Sequence, residues 1–168
     1  MIINKKEIIK TLFIESKYFI KWHSTNNNDI WNYKNINFIG IWKNGVWEDG
    51  YWYDGTWGNG IWKDGTWKKG TWKYGHWYNG TWEDGYWYDG IWKKGIWENG
   101  HWYDGTWENG KWFDGYWFNG YWEDGEWKNG KIYSKKFKEY ILSTKNPKDF
   151  YQIEKQSKTL EELERKVK

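Results

Sequence analysis

The segment from Gly40 to Gly60 reads GIWKNGVWEDGYWYDGTWGNG, and its five-residue unit, Gly-x-Trp-x-(Asp/Asn), decides the fold. The unit continues to Gly130, 91 residues in all, with no insertion or deletion. Its 18 tryptophans are Trp42, Trp47, Trp52, Trp57, Trp62, Trp67, Trp72, Trp77, Trp82, Trp87, Trp92, Trp97, Trp102, Trp107, Trp112, Trp117, Trp122 and Trp127. In 15 of the 18 units the residue before the next Gly is Asp or Asn, the exceptions being Lys69, Tyr74 and Lys94. A register kept so strictly means that each unit fills an equivalent place in an array.

A period of five fits neither a helix nor a long alternating strand, and Gly at every fifth position breaks helices. Ile, Val, Thr and Tyr before most of the tryptophans favour strands, and Asp/Asn-Gly favours a corner. Each unit is therefore a very short strand followed by a corner. Asp-Gly and Asn-Gly are also hairpin signals. Tight hairpins at both ends are nevertheless closed to a three-residue strand. Residues two apart point their N–H and C=O groups to the same side, so the strand cannot pair backward at one end and forward at the other. The remaining arrangement is a coil whose sides are single units, stacked at the strand spacing of about 4.8 Å. Four units to a coil give about four and a half coils from 18 units. Trp and the Gly two positions before it share a face by strand alternation. With that face inward, each coil holds four large residues and four with no side chain.

The Gly40/Trp42 and Gly45/Trp47 columns, continued to Gly125/Trp127, resemble the pentapeptide-repeat proteins. The resemblance implies a right-handed quadrilateral β-helix with a small and a large residue of each unit pointing inward. That family usually carries Ala and Leu or Phe there; Gly with Trp roughly conserves the interior volume. No unit carries the family's usual Ala-Asp-Leu. A second, local resemblance, in YDGTWENG (Tyr103 to Gly110) and DGEWKNGK (Asp124 to Lys131), is to MORN repeats, which implies stacked β-hairpins as the alternative architecture.

Outside the repeat, residues 1–39 are expected to form an N-terminal cap, with a short helix over Asn4–Phe13, strands over Tyr18–Trp22 and Ile36–Ile41, and a polar loop from Ser24 to Asp29. Residues 131–168 are expected to be a helical cap or docking segment. Phe137, Tyr140 and Ile141 suggest one helix, and Asn146-Pro147 the start of another. Phe150, Ile153, Leu160, Leu163 and Val167 make an apolar stripe, suited to folding onto the rod or to docking on a partner.

The repeat carries 9 Lys, 8 Asp and 6 Glu, a net charge of −5, whereas the whole chain is +3, so the flanks carry +8. There is no cysteine, hence no disulfide framework or thiol metal site. His76 and His101 occupy equivalent positions but have no third ligand, so neither metal nor cofactor is expected. No nucleophile motif or phosphate loop is present, and the chain reads as a non-enzyme. The tryptophans are assigned to the core, because 18 exposed indoles would aggregate and nothing else in the repeat can fill an interior. Tyr103, Phe113, Tyr116, Phe118 and Tyr121 are the densest outward aromatics and the candidate partner surface, for a protein first and a glycan second.

The function expected is that of a structural and interaction protein, a rigid rod attached to a larger assembly, as in a minor or decoration component of a viral or phage particle. Neither a signal peptide nor a membrane span is evident, which places it inside a cell or in a virion. The pentapeptide-repeat resemblance implies a further reading, since some of that family are acidic DNA mimics that bind DNA gyrase. Lysines interrupt the acidic surface here, and nucleic acid itself is not an expected partner.

Overall fold

The computed structural model describes residues 20–23, 30–42 and 44–168. The helix expected over Asn4–Phe13 and the loop from Ser24 to Asp29 lie outside the described residues. Strands β1 (Ile20–His23), β2 (Ile30–Trp42) and β3 (Val46–Trp57) are followed by two-residue strands, one every five residues, from β4 (Ile61–Trp62) to β17 (Glu126–Trp127). Strands β18 (Gly130–Ser134) and β19 (Glu139–Ser143) and helices α1 (Pro147–Gln156) and α2 (Leu160–Val167) complete the chain.

The chain is a β-solenoid, but its coil has three sides. Each short strand pairs in parallel with the one 15 residues on: Trp62 with Trp77, Trp77 with Trp92, Trp92 with Trp107 and Trp107 with Trp122. Three units per coil give six coils from 18 units, not the four and a half of a quadrilateral. The parallel pairing also removes the stacked-hairpin alternative, since the one antiparallel pair among the described strands, β18 with β19, lies beyond the repeat. Of the expected N-terminal cap, β2 pairs in parallel with β3 and β1 with β2, so these strands extend the stack.

Indole size and the corner chemistry account for three sides. Each Trp meets the Trp five residues on edge-to-face, for example Trp82 with Trp87 at 5.9 Å and 75°. Each also stacks on the Trp 15 residues on, Trp72 on Trp87 at 4.8 Å and 6°. Three indoles in this pinwheel close a coil; a fourth side would open a void along the axis, which close-packed interiors do not hold. Trp42 to Trp122 are at most 3% exposed.

Glycine makes the corner, as the Asp/Asn-Gly pattern leads one to expect. Gly85 has φ +126, a region that residues with a Cβ rarely adopt, and a Cβ there would lie 2.4 Å from the Gly70 carbonyl oxygen. The preceding acid or amide completes the turn: Asp84 Oδ1 accepts from the Gly85 N–H at 2.7 Å, and Asp49 and Asn59 do the same for Gly50 and Gly60. Between coils, the His76 N–H donates to Gly60 O at 2.9 Å and the Tyr78 N–H to Trp62 O at 2.8 Å, and the pattern recurs along the rod. Indole N–H groups point at the corner of the next coil. Trp107 Nε1 reaches the Asp124 carbonyl at 3.1 Å. Trp77, Trp82, Trp92, Trp97, Trp102 and Trp112 aim at the equivalent corner without a hydrogen bond, a cost the stacking and burial of the rings outweigh.

At the C-terminal end, the helix expected around Phe137, Tyr140 and Ile141 is instead the β18–β19 hairpin. Ile132 continues the Trp117 column and pairs with Ile141, both buried, and Lys138 at φ 60 makes the turn. Residues that alternate in and out suit a strand, and this one covers the open edge. Helix α1 starts as expected, with Asn146 Oδ1 accepting from Asp149 N–H and Pro147 in the first turn. The apolar stripe is divided between two helices, broken at Ser157 and recapped by Thr159. Phe150, Leu163 and Val167 are buried against the core, with Ile153 and Leu160 half-buried beside them. The stripe is thus spent on closing the rod. Trp127 Nε1 donates to Ser143 O at 3.0 Å, tying cap to core.

Candidate interaction surface

The 15-residue coil sorts the outward side chains into columns that the linear sequence scatters. Each face carries two, from the residues before and after its Trp. On the Trp42 face the fourth to sixth coils place Tyr86, His101 and Tyr116 in one column and Tyr88, Tyr103 and Phe118 in the other. The rings stack: Tyr86 on His101 at 5.2 Å, His101 on Tyr116 at 4.6 Å and 2°, and Tyr88 on Tyr103 at 4.9 Å. Phe118 meets Tyr133 at 4.7 Å, and Tyr140 meets both Tyr116 and Tyr133 edge-on at 5.3 Å. Tyr151 of α1 donates its hydroxyl to the Phe118 and Tyr133 carbonyls at 3.3 Å. The aromatic face therefore runs without a break from the rod onto its cap.

Of the five aromatics predicted from sequence, Tyr103, Tyr116 and Phe118 come together here. Phe113 lies on the Trp52 face and Tyr121 on the Trp47 face. Tyr86, Tyr88, His101 and Tyr133 belong to the surface but escape a reading based on density along the chain. Aligning the sequence at a period of 15 reveals them.

The other two faces are charged, with ion pairs bridging coils. Lys63 pairs with Glu48 at 2.9 Å, Lys93 with Glu108 at 3.4 Å, and Lys68 with Glu83, while Lys69 and Asp54, at 3.4 Å, pair along the corner that leads into the Trp42 face. Exposed pairs of this kind stabilise little. They do set the charge pattern: no outward column within Gly40–Gly130 holds more than two consecutive acidic residues.

Burial raises the hydroxyls of Tyr103, Tyr140 and Tyr151 above the ordinary tyrosine range, most strongly Tyr151, and neighbouring tyrosines add to the shift at Tyr103 and Tyr140. A pKa raised on folding contributes stability that is present below the unfolded value, about 10, and lost as pH rises through the folded one. Ultraviolet titration of the 14 tyrosines should show a delayed group, and Tyr151→Phe should delete its last step. A single homogeneous transition near pH 10 would contradict the packed face.

His101 is sandwiched between Tyr86 and Tyr116, while His76 lies on the Trp47 face. Among the described residues no three His, Cys, Asp or Glu side chains converge, and no described helix is long and apolar enough to cross a membrane. Comparison of the chain with protein-family models, curated proteins and solved structures gives no match, so the likeness to pentapeptide repeats rests on the five-residue unit and the solenoid build and does not extend to the number of sides.

Proposed function

We propose that the protein is a non-enzymatic structural and interaction module, a rigid Trp-cored rod that joins a larger assembly through the aromatic part of its Trp42 face. One observation carries the reading: the outward rings of three successive coils and the cap share a single continuous surface, while the other faces bear alternating charge. Tyr-rich, pre-ordered surfaces suit protein recognition because they bury large area at low entropic cost. Stacking fixes these rings before any partner arrives. A role as a minor or decoration component of a viral or phage particle belongs to the same proposal and is supported by the simple, rigid build. The short acidic columns weigh against a DNA mimic, which needs continuous negative faces.

The test is a photo-crosslinking amino acid placed at Tyr103 or, on another face, at Phe113, in the cell or particle of origin. A discrete heavier adduct is expected from position 103 and not from 113. Equal labelling at both positions, or none at 103, would overturn the assignment.

A further inference from the structure

Along the corner leading into the Trp42 face runs a groove of about 580 Å³, and the geometry points to a binding site for a neutral, linear oligosaccharide in it. The inference goes beyond the attachment role and does not rest on it. The groove exists because corner glycines form its floor: Gly55, Gly70, Gly85 and Gly100 stack over four coils and contribute no side chain. Its length follows the rod axis, three coil spacings of about 4.8 Å each.

One wall is a column that changes character partway. Thr56 and Thr71 are followed by Tyr86, His101 and Tyr116. The upper face of Tyr86 is covered by His101, but the residue beneath it is the short Thr71. Tyr86 is 45% exposed, and below it the column continues in the short Thr71 and Thr56. An aromatic ring set in a wall that also carries threonine hydroxyls matches a pyranose, whose C–H face is apolar and whose rim is polar. The opposite wall supplies the polar partners. Asp84 uses Oδ1 to hold the Gly85 N–H, leaving Oδ2 for a ligand hydroxyl. Lys69 and Asp54 pair with each other at 3.4 Å, and Asn99 is neutral, so the wall offers donors and acceptors with little net charge.

Other polymers fit this groove less well. An extended peptide would pair with free backbone carbonyls, yet those of the floor are engaged: Gly70 O accepts from Tyr86 N–H, Gly85 O from His101 N–H and Gly100 O from Tyr116 N–H. A nucleic acid would need a basic lining, and Lys69 stands between two carboxylates, Asp54 and Asp84. A neutral polyol needs neither.

The experiment is calorimetric titration of the full chain with cellohexaose, chitohexaose and maltohexaose, repeated on Tyr86→Ala, Asp84→Asn and Tyr121→Ala. Asn serves as the corner residue in other units, so Asp84→Asn preserves the turn. Tyr86 and Tyr121 are both exposed, and unchanged circular dichroism checks the fold of each variant. At least one hexaose should bind, with affinity falling tenfold or more in Tyr86→Ala, falling measurably in Asp84→Asn and unchanged in Tyr121→Ala. Absence of binding by all three at millimolar concentration, or binding that survives Tyr86→Ala, would overturn the site. Neither result bears on the crosslink at Tyr103, so this inference and the attachment role fail separately.

Discussion

Replacing Gly85 by alanine should destabilise the protein by about 3–5 kcal/mol, from backbone strain and overpacking together. The φ of +126 is one that alanine adopts only under strain, and the new methyl would meet the Gly70 carbonyl oxygen at 2.4 Å. Because that oxygen already accepts from Tyr86 N–H at 2.9 Å, moving it aside breaks the bond between two coils. The neighbouring Asp84→Ala removes one part-exposed hydrogen bond and should cost only about 1 kcal/mol. Urea unfolding followed by tryptophan fluorescence compares the two. Equal effects would mean that the glycine is a compositional habit rather than the corner.

The second large effect is expected from Trp87→Ala. Trp87 is fully buried, stacked between Trp72 at 4.8 Å and Trp102 at 4.9 Å, and edge-on to Trp82 and Trp92 at 5.9 Å. Truncating a large buried aromatic costs about 3–5 kcal/mol. Each lost aromatic pair adds to that, so a total of about 4–6 kcal/mol is expected. In a solenoid each coil contacts only its neighbours, so the position along the rod sets the damage. Trp127 stacks on one side only, on Trp112, and is partly exposed at the cap. Trp127→Ala should therefore cost roughly half as much by the same reasoning. Indistinguishable midpoints for the two variants in thermal unfolding would contradict a core built from continuous indole columns.

The strict unit made the solenoid legible in the sequence; strand parity weighed against tight hairpins, but only the parallel register removes the stacked-hairpin alternative. The number of sides was not legible. A five-residue unit is compatible with three or four sides, and the choice depends on how indoles fill a cross-section and how sharply a glycine at φ near +120° turns the chain. The error propagated to the surface. With an assumed period of 20, Tyr88, Tyr103 and Phe118 fall in no common column, whereas at 15 they align. At the C-terminus, Asn146-Pro147 announced α1 by local capping chemistry, which sequence carries well. The Tyr140–Ile141 strand was decided by what it covers: Ile141 fits over the Ile132 end of a Trp column, a contact no local pattern contains.

The three-sided coil is tested most directly by paired cysteines, since the natural chain has none. Thr66 and Thr81 are direct partners on adjacent coils, 15 residues apart, whereas Thr66 and Tyr86, 20 apart, lie on different faces. A disulfide needs Cα atoms about 4.4–6.8 Å apart, which adjacent parallel strands provide. On mild oxidation, the Thr66→Cys/Thr81→Cys variant should form an intramolecular disulfide in the folded protein, and Thr66→Cys/Tyr86→Cys should keep both thiols free. A bond in the second variant and none in the first would mean a coil of four sides and would contradict the structure.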